Sequence, residues 1–318
     1  MNTARNGVVV GVDLGGTKIQ SVAMRARRRV GEARSQTPHT NAGDVLAAII
    51  ESIRATGVPA SEIGAVGIGS PGAIDPHTGA VTQARNLPGF EGTVELGAQM
   101  SKALAGVKVR VDNDVRSALW GEYRMGAGRP FKNVLGVFVG TGVGGGLILS
   151  GRLYDGRGAA GEIGHVVVKP GGRLCSCGRR GCLEAYAGRG QMEVRARKLV
   201  RKGRKTLLFE LMKKRQRERV TSGVIAEALE AGDRLAEELI ADAVKALGVG
   251  IASAQNLFDA QAVIIGGGLG DRLGAPFAER VKKAMMPHLF GSAHPPEVLN
   301  TELGDLAGAT GAALVAGA

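Results

Sequence analysis

The three cysteines of this 318-residue chain lie close together, at Cys175, Cys177 and Cys182, and His165 lies ten residues before the first. Three thiolates and one imidazole form a complete ligand set for a tetrahedral, structural zinc ion. Four glycines between residues 171 and 181 would let the loop fold back on one ion. A disulfide is the alternative, but it would leave one thiol over, and Cys175 and Cys177 are too close in sequence to pair easily. The sequence therefore predicts a Zn²⁺ site.

Three glycine-rich segments each follow an apolar run that predicts a buried strand. The runs are Val8–Leu14, Val134–Val139 and Ala262–Ile265. Glycine has no Cβ, so the backbone N–H groups of such loops are open to an anion. The segments match neither a P-loop nor a Rossmann fingerprint that opens a helix. Together they predict nucleotide or phosphate binding.

Two carboxylates flank an amide in the segment Asp112-Asn113-Asp114, between the predicted strand Val107–Val111 and the predicted helix Val115–Met125. Asp114 could cap that helix. It could equally accept a hydroxyl proton as a phosphoryl group arrives, the role of a kinase base. The residues alone leave both interpretations open.

The elements that would position these residues form two similar halves. Each half begins with a strand, a glycine loop and a second strand, as in Val8–Leu14 with Ile19–Met24 and in Val134–Val139 with Leu147–Leu149. This duplication predicts two α/β domains that face one cleft. Further helices are predicted over Asp44–Thr56 with Asp44 as N-cap, Leu183–Lys202, Leu207–Arg215, Gly223–Ala231, Asp233–Phe258 and Gly304–Ala316.

Composition excludes several classes of protein. With 44% hydrophobic and 22% charged residues the chain is globular, and no apolar run is long enough to cross a membrane. The N-terminus has no signal-peptide pattern, so we expect a cytoplasmic protein with reduced thiols. Most of the net charge of +12 comes from Arg195–Arg219, which holds twelve lysines and arginines and two glutamates. Phe209 is the single aromatic residue there, which argues against nucleic-acid binding and favours a solvated face.

The whole chain resembles the ROK family of sugar kinases. The motifs that carry the resemblance are DLGGTK (13–18), GSPG (69–72), DND (112–114), GTGVGGG (140–146), GEIGH (161–165), CSCGRRGCLE (175–184) and IIGGGLG (264–270). The resemblance implies an α/β fold of the actin/hexokinase type (ribonuclease H-like), with two domains around a cleft. We expect a small domain over residues 1–114, completed by the C-terminal helix (303–318), and a large domain over 115–302 that carries the zinc loop.

The resemblance also implies a role for each motif. Asp114 would be the base that accepts the proton of the sugar 6-hydroxyl. The sugar hydroxyls would be bound by Asn86, Asn113, Asp114, Glu162, His165 and Glu184. His165 would contact zinc through its other ring nitrogen, beside Cys175, Cys177 and Cys182. Mg²⁺, the ATP phosphates and the adenosine would lie at Asp13, Gly15, Gly16, Thr17, Lys18, Thr141, Gly142, Gly266, Gly267 and Gly268.

The implied activity is ATP-dependent phosphorylation of a hexose, with glucose converted to glucose 6-phosphate as the first expectation. Kinases for N-acetylglucosamine, N-acetylmannosamine, mannose or fructose are alternatives, and the basic segment makes inorganic polyphosphate an alternative donor. A sugar-responsive transcription regulator of the same family is disfavoured, because DLGGTK begins at residue 13 and leaves no room for a DNA-binding domain before it. The resemblance also suggests a homodimer or homotetramer.

Overall fold

The computed structural model describes residues 7–84, 86–291 and 293–317, which form two compact units. The first unit takes in the described residues up to Pro130, together with Arg152–Ala160 and the chain from Glu302 onward. The second unit takes in Phe131–Gly151 and Gly161–Thr301. In the described ranges, no helix is both long enough and apolar enough to span a membrane.

The first unit is built on a five-stranded sheet in the order β3-β2-β1-β4-β7. Its strands are β1 (Val8–Leu14), β2 (Lys18–Arg25), β3 (Arg28–Gln36), β4 (Ile63–Ser70) and β7 (Lys108–Asn113), and the short strands β5 (Ala73–Ile74) and β6 (Val81–Thr82) form a separate hairpin. β2 pairs antiparallel with both β1 and β3, whereas β1, β4 and β7 run parallel. The parallel strands therefore bring their carboxyl ends to one edge of the sheet.

In the part of the chain that the structure describes, the helices that pack around this sheet are α1 (Ala42–Arg54), α2 (Leu96–Ala103), α3 (Asp114–Met125) and α10 (Ala307–Ala316). Helix α10 packs on β1, β4 and α3. It approaches β4 so closely that a Cβ on Gly67 would lie 1.9 Å from the carbonyl oxygen of Ala312. The predicted boundary after Asp114 thus differs from the division of the structure, because α3 packs against α10 and belongs to the first unit.

The N-cap of α1 corrects the sequence prediction. Asn41, not Asp44, caps the helix, and its side-chain oxygen accepts the N–H of Asp44 at 3.0 Å. Asp44 lies in the first turn, where a negative charge is favoured by the helix dipole. Both residue types suit a helix start, so the sequence alone did not distinguish them.

The sheet of the second unit repeats the strand pattern of the first. Its strands run in the order β9-β8-β11-β12, with bounds β8 (Val134–Val139), β9 (Val143–Leu149), β11 (Ala262–Gly266) and β12 (Glu297–Asn300), and the short strand β10 (Arg152–Leu153) follows β9 in the chain. β8 pairs antiparallel with β9 and parallel with β11, which pairs parallel with β12. Both units therefore share the same arrangement, in which an antiparallel strand pair is joined to parallel strands, as the predicted duplication indicated.

The helices of the second unit and its sheet together form one hydrophobic core. The helices are α4 (Glu184–Ala187), α5 (Arg189–Val200), α6 (Leu208–Lys214), α7 (Ser222–Glu230), α8 (Arg234–Phe258) and α9 (Gly267–Met285). The predicted helix Leu183–Lys202 is broken at Gly188, because the next two N–H groups bond to the carbonyls of Gly140 and Thr141 instead of continuing α4. The second glycine segment is shorter than predicted, since β9 already begins at Val143.

Candidate functional site

Asn113 and Asp114 lie where β7 ends and α3 begins. The side-chain oxygen of Asn113 accepts the N–H groups of Val115 at 3.0 Å and Arg116 at 3.2 Å, so Asn113 is the N-cap of α3. The alternative in which Asp114 caps this helix is therefore wrong. Asn113 also donates from its amide to the carbonyl of Gly72 at 3.3 Å, which ties the GSPG loop to this strand end.

Asp13 lies at the same edge of the first sheet as Asp114. In the strand register Asp13 pairs with Gly69, and Gly69 pairs with Asp112. The partly buried position of Asp13 and the negative charge of Asp114 raise the pKa of Asp13 to about 7, against the opposing effect of Lys18. Asp13 and Asp114 are thus close enough for their negative charges to interact. A cation bound to phosphate would neutralise these charges.

The other predicted residues of the first glycine loop differ in their exposure and contacts. Thr17 is exposed, and the ammonium of Lys18 lies 2.8 Å from the carboxylate of Asp305. Asn86 lies against the loop, since a Cβ on Gly16 would come within 2.8 Å of the Asn86 carbonyl oxygen. The first unit therefore brings the DLGGTK loop and Asn86 together.

Glu184 joins the second glycine loop to the cysteine loop. One of its carboxylate oxygens accepts the N–H of Val143 at 3.0 Å, and the other accepts the hydroxyl of Ser176 at 2.5 Å. Gly142 lies so near that a Cβ there would be 2.3 Å from the same carboxylate. A carboxylate offers about four acceptor positions, so Glu184 can still accept bonds from a ligand.

The four predicted metal ligands lie together in the second unit. The ligand atoms of His165, Cys175, Cys177 and Cys182 are all within 4.8 Å of one another, and the cysteines are free thiols. The sulfur atoms of Cys177 and Cys182 are 3.8 Å apart, which is about the edge length of a tetrahedron with Zn–S distances of about 2.3 Å. The disulfide alternative finds no support here.

The ring of His165 directs Nδ1 toward the thiols, at 3.9 Å from the Cys175 sulfur. Nε2 is then the nitrogen left for another ligand. Arg179 lowers the pKa of the Cys177 thiol to about 6, whereas burial raises that of Cys175 to about 12. Glu162 is exposed and immediately precedes the short turn Ile163–His165 that carries the imidazole.

The third glycine segment lies at the junction of β11 and α9. Gly266 ends the strand, and Gly267 and Gly268 begin the helix directly. The first N–H groups of a helix favour an anion. The sequence prediction placed a loop here and did not foresee the helix.

The sequence analysis did not identify three residues whose side chains contact predicted site residues. Ser176 bonds to Glu184, Asp305 pairs with Lys18, and Arg189 donates to the hydroxyl of Thr141 at 2.6 Å. Each contact joins segments that are distant in sequence or depends on a local fold, so residue type and spacing gave no signal for it.

Comparison with known proteins decides the family. A model of the ROK family matches residues 9–318. The chain belongs to the ROK family. It is 34% identical to the glucokinase of Thermotoga maritima over 96% of both chains. It is 31% identical to the N-acetyl-D-glucosamine kinase of Pectobacterium atrosepticum, over 96% of this chain and 97% of that one.

A solved structure gives the same result for this ROK-family chain. The ROK glucokinase of Streptomyces griseus, in complex with glucose and AMPPNP, superposes with a TM-score of 0.80 at 33% identity, over 98% of this chain and 99% of that one. The prediction of a two-domain α/β fold of hexokinase type is therefore confirmed.

Proposed function

We propose that this ROK-family protein is a sugar kinase that transfers the terminal phosphoryl group of ATP to glucose and forms glucose 6-phosphate. The observation that carries the proposal is the end of β7, where Asn113 caps α3 and Asp114 lies close enough to Asp13 for their charges to interact. The similarity to glucokinases over almost the whole chain supports the same activity.

Asp114 would accept the proton of the sugar 6-hydroxyl as the phosphoryl group arrives. Such a base mainly orients the attacking hydroxyl, while cations and N–H groups stabilise the charge on the phosphates. Asp13 is the carboxylate that fits Mg²⁺, a cation that prefers oxygen ligands. Bound Mg²⁺ would neutralise phosphate charge, and its presence would favour the ionised form of Asp13.

The sugar would be bound by Asn86, Asn113, Asp114, Glu162, His165 and Glu184. Carboxylates and amides that each bond to one hydroxyl disfavour an analogue that lacks that hydroxyl. Glu184 is suited to this role because Val143 and Ser176 fix both of its oxygens in place. The zinc ion that fits the three cysteines and His165 would be structural, since four protein ligands leave no open position.

The phosphates and the adenosine would lie along the glycine segments, at Gly15, Gly16, Thr17, Lys18, Thr141, Gly142 and Gly266–Gly268.

We further propose that the protein acts in the cytoplasm, as a homodimer or homotetramer, and that nucleic acid is not a partner. The basic segment supports this last point, because Arg197, Arg204 and Arg215 already pair with acidic residues outside it.

A second candidate is a kinase for N-acetylglucosamine, favoured by the 31% identity to such an enzyme. N-acetylmannosamine, mannose and fructose remain further acceptors of the same class. Inorganic polyphosphate is the alternative donor, and the exposed residues 213–219 are where its negative charge would be attracted.

The test of the proposed mechanism is the variant Asp114→Asn, assayed for ADP formation from ATP and glucose. Asparagine keeps the shape of the side chain but cannot take a proton, so we expect turnover to fall by about 10²–10⁴-fold. Glucose binding, measured by calorimetry, should survive. The matched control is Asp44→Asn, another carboxylate in the first turn of a helix, which should keep wild-type turnover. Turnover of Asp114→Asn within a few fold of wild type would refute the role of Asp114.

A further inference from the structure

Three hydrogen bonds join the first residues of α5 to the second glycine loop, at Gly140 and Thr141. The N–H of Arg189 donates to the carbonyl of Gly140 at 3.0 Å, and the N–H of Gly190 donates to that of Thr141 at 2.9 Å. The guanidinium of Arg189 donates through Nη2 to the hydroxyl oxygen of Thr141 at 2.6 Å. Backbone and side chain of Thr141 are therefore both held from one helix end.

The chemistry of the guanidinium determines how the hydroxyl of Thr141 is oriented. Arginine has only N–H donors, so the Thr141 oxygen must be the acceptor in this contact. Its own hydrogen must then point to a different acceptor. Thr141 is exposed at the tip of the loop, so a bound ligand can accept this hydrogen.

The guanidinium of Arg189 is partly buried, which is energetically unfavourable for a charged group. Its Nη1 donates to the carbonyl of Val220, whose N–H donates to Glu193 at 3.0 Å. Its Nε is buried and finds no hydrogen-bond partner among the residues that the structure describes. Burial lowers the pKa of Arg189, and Glu193 opposes the effect. A surface arginine would avoid this desolvation, so the placement calls for a role beyond solubility.

We propose that Arg189 is a positioning residue that fixes the hydroxyl of Thr141 as a hydrogen-bond donor to a phosphoryl oxygen of the bound nucleotide. The inference rests on the proposed function, which assigns the phosphates to Thr141 and Gly142. The inference assigns a role to Arg189, which lies outside the glycine loops, and it states that the Thr141 hydroxyl donates its hydrogen to the phosphoryl oxygen. Arg189 acts through Thr141 and does not itself touch the nucleotide.

The experiment measures AMPPNP and glucose affinity by calorimetry for the variants Arg189→Met, Thr141→Val and the double variant. Arg189→Met and Thr141→Val should each weaken AMPPNP binding by at least about tenfold, as expected for one hydrogen bond to a charged oxygen. The double variant should be no weaker than Thr141→Val within about twofold, because both changes remove the same contact. Glucose affinity should change by less than about twofold throughout.

Arg189→Lys and Thr141→Ser serve as the conservative variants. Lysine can still donate to Thr141, and serine keeps the hydroxyl, so both should recover most of the AMPPNP affinity. Thermal melting of every variant identifies loss of folding, and a variant that does not fold is replaced in the comparison by Arg189→Ala or Thr141→Ala, which remove the same hydrogen bond. A merely structural brace would lower the melting temperature and weaken glucose and AMPPNP binding alike, which would overturn the proposal.

Two other results would also overturn it. Unchanged AMPPNP affinity in Arg189→Met would show that the contact has no bearing on the nucleotide. A further tenfold loss in the double variant beyond Thr141→Val would show that Arg189 acts independently of the hydroxyl. A wild-type protein that binds no AMPPNP and phosphorylates no hexose would instead refute the proposed function, so the two failures are distinguishable.

Discussion

At the residue scale, Glu184 links the predicted metal loop to the predicted phosphate loop. Its two oxygens accept bonds from Val143, at the start of β9, and from Ser176, between two cysteines. Displacement of the cysteine loop would therefore move a carboxylate that we expect to bind sugar. This is the physical reason to expect a structural metal to influence substrate affinity.

The zinc prediction is tested by Cys177→Ala. We expect wild-type protein to contain one zinc per chain by elemental analysis, and the variant to lose it together with thermal stability and glucose affinity. The control is Leu174→Ala, in the same loop but exposed and without a ligand atom, which should keep its zinc. Wild-type protein that is free of metal yet binds glucose normally would contradict the assignment.

At the scale of elements, the N-terminus of α8 depends on one carboxylate. Asp233 caps the helix through the N–H of Ala236 at 2.8 Å and also accepts the hydroxyl of Thr206 at 2.8 Å and the N–H of Leu207. Burial opposes ionisation, but these bonds outweigh it and lower the pKa of Asp233. The cap therefore stabilises the folded state at neutral pH and loses this effect as pH falls through the lowered pKa.

We expect Asp233→Asn to reduce the free energy of unfolding by about 1–2 kcal/mol at pH 7, because the amide cannot accept every one of these bonds. The difference from wild type should shrink as pH falls below about 4, where Asp233 of the unfolded chain begins to protonate, and it should vanish below the lowered pKa of the folded state. Urea unfolding at several pH values measures both effects. The control is Asp259→Asn at the other end of α8, which should change stability by less than about 0.5 kcal/mol. A pH-independent difference would contradict the electrostatic part of this account.

Sequence reasoning predicted the elements better than their ends. Val8–Leu14 and Val134–Val139 are strands with the predicted bounds, since apolar runs of that length report burial directly. The break at Gly188 and the use of Asn41 rather than Asp44 as cap depend on hydrogen bonds that local residue types do not specify. Helix α9 was missed because its glycine-rich start matches the pattern of a loop.

At the scale of the whole molecule, the duplication was visible in the sequence but the division between units was not. Both sheets join antiparallel strands to a parallel set, as the repeated strand–glycine–strand pattern indicated. Helix α3 belongs with α10, which is almost two hundred positions later in the sequence. A contact of that range leaves no periodic signal in either segment. The same holds for the missed residues Arg189 and Asp305, whose partners Thr141 and Lys18 are distant in the sequence.

The central claim is that this protein phosphorylates glucose with ATP. The most direct measurement is the initial rate of ADP formation with glucose, mannose, fructose, N-acetylglucosamine and N-acetylmannosamine in parallel, with polyphosphate replacing ATP in a second series. We expect kcat/KM to be highest for glucose with ATP, by at least about tenfold, because the hydroxyl-binding groups discriminate between sugars. A preference for an N-acetylated sugar, or no ADP formation with any hexose, would contradict the account.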